Sequence, residues 1–214
     1  MTELGLRERK KLQTRRLISS TALGLFAERG FERVTVAEVA RAAQVSEATV
    51  FNYFPTKEDL VYSGLEAYET ALLAAVGQRG PSESVLAAFG RYLLASQGLL
   101  VASEPEAQQQ LVTVARLIAD SPALRARERQ TFDRYTRSLA ELIAEQTAAR
   151  PGDVDPWVVA NALVGVHRAL VEYVRDQLLA GRHGPRLARD VRSRAERALA
   201  LLGRGLADYP SARP

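Results

Sequence analysis

Between positions 46 and 54 the chain reads SEATVFNYF, and this run concentrates hydrogen-bonding side chains of four kinds. A carboxylate stands at Glu47, a hydroxyl at Thr49, a carboxamide at Asn52 and a phenol at Tyr53. Laid on a helix, Val50 and Phe54 fall four apart and face inward. Glu47, Ala48, Thr49, Asn52 and Tyr53 are then left outward, with Phe51 at the border. A short ridge of donors and acceptors on one helix face is chemistry for reading base edges in a nucleic-acid groove. A second group of residues suits the backbone of such a partner. Arg7, Arg9, Lys10, Lys11, Arg15 and Arg16 crowd the start of the chain against only Glu3 and Glu8. Every lysine of the protein, Lys10, Lys11 and Lys57, precedes Leu60. Clustered cations of this sort favour contact with phosphates, with a solvated helix end as the plain alternative.

The elements that must hold the ridge are written in caps and breakers. Thr35 and Glu38 form a T-x-x-E capping box at the start of a helix. Val36, Val39, Ala40 and Ala43 share its inner face, Arg41 falls on another, and the small residues Ala37, Ala40 and Ala43 let a second helix cross closely. Gln44-Val45-Ser46 makes a tight corner, with Val45 plugging the gap and Ser46 capping the ridge-bearing helix. Pro55 cannot continue that helix. Thr56 caps a following helix whose first turn carries Glu58 and Asp59, as the helix dipole favours. This is a helix-turn-helix layout.

The run from Arg15 to Leu60 resembles the amino-terminal domain of the TetR family of bacterial transcriptional regulators. The resemblance rests on LFAERGF at 25–31, VTVAEVARAAQVSEATVFNYF at 34–54 and PTKEDL at 55–60. It implies roles for single residues. Thr49 matches a hydroxyl that touches DNA, Tyr53 an aromatic whose hydroxyl meets phosphate, and Lys57 a basic residue that holds phosphate at the start of the fourth helix. Thr35 and Ser46 match capping positions beside the DNA backbone. Asn52 is the expected base reader, since a carboxamide pairs bidentately with adenine. Glu47 accepts from a cytosine amino group or excludes wrong sites, and Arg41 reaches phosphate or base. Lys10, Lys11, Arg15 and Arg16 form the expected backbone arm. Two departures stand out. Relatives often carry glycine where this chain has Gln44, so a left-handed corner there costs about 1 kcal/mol. Phe51 lacks the hydroxyl that many relatives have.

The whole chain fits an all-α protein. Its 47% hydrophobic content against 7% aromatic puts the apolar volume in Leu, Ala and Val. About nine helices are expected: 7–29, two short ones in the helix-turn-helix, 57–78, one opening at Ser82, one opening with Ser103 to Glu106, one from Ser121-Pro122 to 147, one from Asp155-Pro156 to 180, and a last one to about Leu206. Gly30 closes the first. The domains expected are 1–56 for DNA, linked by the fourth helix, and 80–208 for an effector and dimerisation, with a disordered tail at 209–214. No apolar run reaches a membrane span and the start MTELGLRERKK has no apolar core, so a cytoplasmic protein with no membrane partner is expected. Cysteine is absent and histidine occurs twice. With no nucleophile, zinc, P-loop or Rossmann motif, neither catalysis, nor a cofactor, nor a metal is expected.

A helix-turn-helix reads two half-sites as a symmetric dimer, and the resemblance implies a homodimer through the last two helices. The residues offered for it are the small stripe Val158, Ala162, Gly165 and Ala169, and the repeat Leu187, Val191, Ala195, Leu199 and Leu202, followed by Leu206. Intramolecular core is the competing reading. The resemblance also implies a repressor of a palindromic operator released by a small-molecule effector, with an activator or a ligand-independent regulator as alternatives. A pocket among the fifth to eighth helices would be lined by Phe89, Tyr92, Leu93, Leu117, Tyr135 and Trp157, with Arg91, Arg116, Asn161, His167 and Arg168 as polar groups; ordinary core packing competes for each. The second half is also similar to regulators of actinobacterial type, which implies an apolar or acyl-thioester-like effector.

Overall fold

The computed structural model describes residues 5–63, 65–95, 102 and 104–206. Nine α-helices and one 3-10 turn account for the secondary structure among the described residues. They are α1 (Leu6–Arg29), α2 (Val36–Ala42), α3 (Glu47–Tyr53), the turn Glu58–Leu60, α4 (Leu65–Gly77), α5 (Val85–Ala95), α6 (Pro105–Asp120), α7 (Pro122–Thr147), α8 (Asp155–Leu179) and α9 (Pro185–Leu206). The all-α expectation holds. The expectations for Ser103, for the side chain of Leu206 and for the tail at 209–214 lie outside the described residues.

Three boundaries differ from expectation. The fourth helix does not begin at Lys57: Thr56 donates its amide and hydroxyl to the Asp59 carboxylate at 3.1 and 2.9 Å, which closes one 3-10 turn only. Regular α4 starts at Leu65. The fifth helix is capped by Ser84, not Ser82, since Ser84 Oγ accepts from the amide of Ala87 at 3.1 Å. Asp155 is the first residue of α8, not its cap, and its amide donates to Asp153 at 3.0 Å.

The chain forms two compact units. The first comprises residues up to Glu66 together with Arg116–Arg127. Its core is Ile18, Ala22 and Phe26 of α1, Phe31, Val34, Val39 and Ala40 around α2, and Val50, Phe54 and Leu60. The corner between α6 and α7 is built into it. Ser121 caps α7 by accepting from the amide of Leu124 at 3.3 Å and donates to Glu32 at 2.7 Å. Tyr62 donates to the carbonyl of Leu124 at 2.9 Å, and Arg127 grips Asp59 at 2.7 Å. Nothing in the local pattern of 116–127 assigns that corner to this unit.

The second unit comprises Ala67–Ala115 and Glu128–Pro214. Leu72, Val76, Val85, Phe89, Leu93, Leu139, Ile143, Leu163 and Leu170 form its main core. The α5–α9 crossing is close: a Cβ on Gly90 would lie 3.0 Å from Leu199, so a larger residue there must push that leucine aside. A smaller cluster joins Ala115, Val174, Leu178, Leu187 and Val191.

Candidate functional site

The ridge helix is held by local chemistry. At the start of α2, Thr35 Oγ1 accepts from the Glu38 amide at 3.2 Å while the Thr35 amide donates to Glu38 at 2.8 Å, the reciprocal pattern of a capping box. Hydrogen bonds from Thr35 hold the Glu38 carboxyl below its ordinary range, aided by Arg29 and Arg41. At the corner, Gln44 takes φ 56°, the left-handed conformation that the glycine of relatives at this position suggested. Val45 then donates to the carbonyl of Ala40 at 2.9 Å. Ser46 Oγ accepts from the Thr49 amide at 3.0 Å and lies 2.8 Å from the Thr49 hydroxyl. Thr35 and Ser46 therefore serve the fold first, and Thr49 keeps its hydroxyl against the cap.

What α3 leaves outward is Glu47, Ala48, Phe51 and Asn52, with Tyr53 half-buried. Phe51 is 47% exposed, a large apolar ring on the same face as the carboxamide of Asn52. Arg41, Lys10, Lys11 and Arg16 are exposed. Arg15 is not available as a backbone arm. It is half-buried, donates to the carbonyls of Tyr53 at 3.1 Å and Ser63 at 3.3 Å, and stacks 4.8 Å from the Phe54 ring. Its role is to tie α1 to the end of α3. Lys57 is half-buried as well, with Nζ 4.2 Å from the Phe31 ring and 3.5 Å from the carbonyl of Glu32. Burial pulls its pKa down while Glu32, Glu58 and Glu38 pull it up.

The second unit holds a cluster that the sequence only partly marked. His167 of α8 is 2% exposed. The Tyr68 ring stacks on it at 4.7 Å, and Phe132 and Tyr135 of α7 meet it edge-on at 5.7 and 6.1 Å. Tyr92 packs on Tyr68 at 5.3 Å and donates to the Tyr68 carbonyl. Burial alone drives the His167 pKa down to about 4, so the ring is neutral at pH 7. Burial also raises both Tyr68 and Tyr135. Tyr68 Oη, Tyr135 Oη and His167 Nδ1 are buried with no hydrogen-bonding partner among the described residues. Orphaned polar atoms are uncommon in folded proteins, and each costs about 1–3 kcal/mol.

Several residues expected in a pocket lie elsewhere. Trp157 is 45% exposed on α8, and Asn161 is exposed, donating to the Trp157 carbonyl at 2.7 Å. Arg91 is exposed and paired with Glu83 at 3.0 Å, and Arg168 is exposed and paired with Glu172 at 3.2 Å. Arg116 and Leu117 belong to the first unit, with Arg116 exposed and Leu117 buried. Phe89 and Leu93 are core, Tyr92 is half-buried, and only Tyr135, Tyr92 and His167 of the expected set join the cluster. Tyr68 and Phe132 were not singled out in the sequence. The signal for Tyr68 was its place four residues before Leu72 and eight before Val76, on the buried stripe of α4.

The expected dimer residues also divide. Val158 is 55% exposed, Gly165 and Ala169 are exposed, and Ala162 is half-buried. On α9, Leu187, Val191 and Ala195 are buried within their own unit, while Leu199 and Leu202 are half-buried against its core. An amphipathic stripe shows that a face is covered, not which chain covers it. Among the described residues no helix is long and apolar enough to cross a membrane, and no group of three or more acidic or histidine side chains is placed to hold a metal.

Comparison with known proteins agrees with this geometry. Residues 18–62 match the domain described as bacterial regulatory proteins, tetR family, and residues 83–207 match the MftR C-terminal domain. The HTH-type transcriptional regulator TcmR of Streptomyces glaucescens is 32% identical over 169 residues, covering 78% of this chain and 73% of that one. Two solved structures share the fold. The SmeT–triclosan complex superposes with a TM-score of 0.57 at 16% identity, covering 90% of this chain and 91% of that one. The fatty acid degradation regulator FadR from Bacillus halodurans does so with a TM-score of 0.54 at 19% identity, covering 86% and 97%. The chain belongs to the TetR family and is a helix-turn-helix transcriptional regulator.

Proposed function

We propose that this protein represses transcription as a homodimer on a palindromic operator and lets go when a small molecule enters the aromatic cluster around His167. The observation that carries the DNA half is the outward face of α3. It offers Glu47, Phe51 and Asn52 to a partner, over a corner whose own hydrogen bonds are already made. Asn52 reads a base, Tyr53 and Lys57 steady the backbone, and Lys10, Lys11, Arg16 and Arg41 supply charge. The exposed apolar strip of α8, Val158 with Gly165 and Ala169, supports a seam between two copies. The effector half is supported by the orphaned polar atoms of the cluster and by triclosan in the SmeT complex of the same fold.

The test is selection from a pool of random duplexes, followed by titration of the winning site. A two-fold symmetric site is expected, with half-sites about 10 base pairs or a multiple apart. Asn52→Ala should then cost about 1–3 kcal/mol and relax specificity at one base pair of each half-site. Enrichment of asymmetric sites, or equal binding of all sequences, overturns the reading.

A further inference from the structure

The chemistry of the cluster narrows what it can hold. Three helices contribute four flat rings: Tyr68 from α4, Phe132 and Tyr135 from α7, and His167 from α8. The Tyr68 and His167 planes differ by 28°, so the two rings form a near-parallel pair. Offset-stacked and edge-on partners are what aromatic faces and edges prefer. The polar atoms left over are two phenol hydroxyls, each a donor as well as an acceptor, and one imidazole nitrogen.

Charge is missing from this set. Burial keeps His167 neutral and both phenols protonated at pH 7. The charge bearing on Tyr135 is the Glu69 carboxylate, already paired with Arg134 at 3.1 Å. The buried arginine of this unit, Arg79, bonds Gln146, which stands eleven positions beyond Tyr135 on α7. At ~1.5 Å per helical residue that is roughly 16 Å away. An anion here would lie beside Glu69, whose partner Arg134 is already engaged, and burying an unpaired charge is far costlier than burying a hydrogen-bonded oxygen. A cation would find no acceptor charge free of Arg134.

We infer that this cluster takes a neutral, flat-ringed molecule carrying carbonyl or hydroxyl oxygens, its oxygens accepting from Tyr68 and Tyr135 and its ring stacking among theirs. This rests on the reading of the cluster as the effector site. It departs from the acyl-thioester expectation, because the arginines expected in the pocket, Arg91, Arg116 and Arg168, are exposed, two of them in ion pairs elsewhere.

A matched set of two-ring probes tests it by calorimetric titration of the full-length protein at pH 7. The set is 1,4-naphthoquinone (neutral, two carbonyls), naphthalene (no oxygen), 2-naphthoate (anion) and 1-naphthylmethylamine (cation). The chain has no cysteine, so thiol addition to the quinone cannot mimic binding. The quinone should bind at least fivefold more tightly than each of the others, the ratio set by one net hydrogen bond. Tyr135→Phe and Tyr68→Phe should each lower quinone affinity about fivefold while raising the thermal midpoint of the ligand-free protein, since each removes an orphaned hydroxyl. If 2-naphthoate or the amine binds best and both phenylalanine variants weaken it, the ligand class is wrong and the effector site stands. If no probe binds, or the phenylalanine variants leave every affinity unchanged, the effector-site reading falls with it.

Discussion

Lowering the pH should destabilise the second unit through His167, and the size of that contribution follows from the burial of the ring. In the unfolded chain a histidine binds its proton near pH 6.5; in the folded protein burial lowers that to about 4. Between those values the unfolded state holds a proton that the native state does not, so stability rises with pH there. The stability tied to a neutral His167 is complete above about pH 6.5, is lost as pH falls towards 4, and changes no further below that. A shift of about 2.5 units at ~1.36 kcal/mol per unit amounts to roughly 3 kcal/mol. The rings facing His167 are Tyr68, Phe132 and Tyr135, and none ionises in this range to offset the effect. The lowered pKa values of Glu38 and Glu83 and the raised pKa of Glu128 act on the same scans. The comparison is therefore with His167→Phe, which keeps a flat ring and drops the titration while leaving those carboxylates in place. Urea unfolding of both proteins at pH 7, 6, 5 and 4 gives the difference directly. The gap should widen towards acid by roughly 3 kcal/mol in favour of the phenylalanine variant. A gap that stays constant within about 0.5 kcal/mol would mean that His167 reaches solvent or a partner, and the dry cluster would be wrong.

Other consequences are more local. Gln44→Gly should stabilise the first unit by about 0.5–1 kcal/mol, because Gln44 holds φ 56° at a corner where only glycine is free of the side-chain penalty; amide exchange of α2 and α3 reads it, and unchanged exchange would deny the strain. Lys57→Met keeps the aliphatic stem on the Phe31 ring while removing the charge, so it should weaken DNA on all sequences and lower the salt slope by about one, as measured by filter binding. Slopes that match between the two proteins would assign Lys57 to packing alone. Val158→Arg puts a charge on the exposed apolar strip of α8 and should turn a dimer into monomers in sedimentation without loss of helix content; an unaltered sedimentation coefficient would place the seam elsewhere.

The parts of the fold that were legible in the sequence are those closed within three or four residues. Thr35 with Glu38 and Ser46 with Thr49 are each decided by neighbours, so residue type and spacing suffice, whereas the left-handed corner at Gln44 was suggested only by the glycine that relatives carry there. Arg15 shows the limit. Its charge and place among other cations suggested phosphate, but its partners are the carbonyls of Tyr53 and Ser63, 38 and 48 positions away. The same limit governs α9, whose leucine repeat specified burial without specifying the partner. The start of the fourth helix was misread for a different reason. Thr56 and Asp59 look like a helix cap, and the chain does use them as one, but for a single 3-10 turn that ends at Leu60.

Polarity is used in opposite ways in the two units, and this is what makes the regulatory reading more than a matter of descent. On α3 the hydroxyls of Ser46 and Thr49 and the amides beneath them satisfy one another, and the groups left over, Glu47 and Asn52, lie in solvent where water meets their needs. Such a surface is stable without DNA and exchanges water contacts for base contacts at little net cost. In the aromatic cluster two phenols and an imidazole nitrogen are sealed from water and unmatched, so the ligand-free state carries their desolvation as a standing penalty of about 1–3 kcal/mol each. On the proposed reading, a ligand that meets even two of them recovers part of that penalty, and it shifts the equilibrium between DNA-bound and released forms by the amount by which the DNA-bound form holds it less well. On that reading, Tyr68→Phe with Tyr135→Phe should yield a regulator that is more stable and less inducible at once.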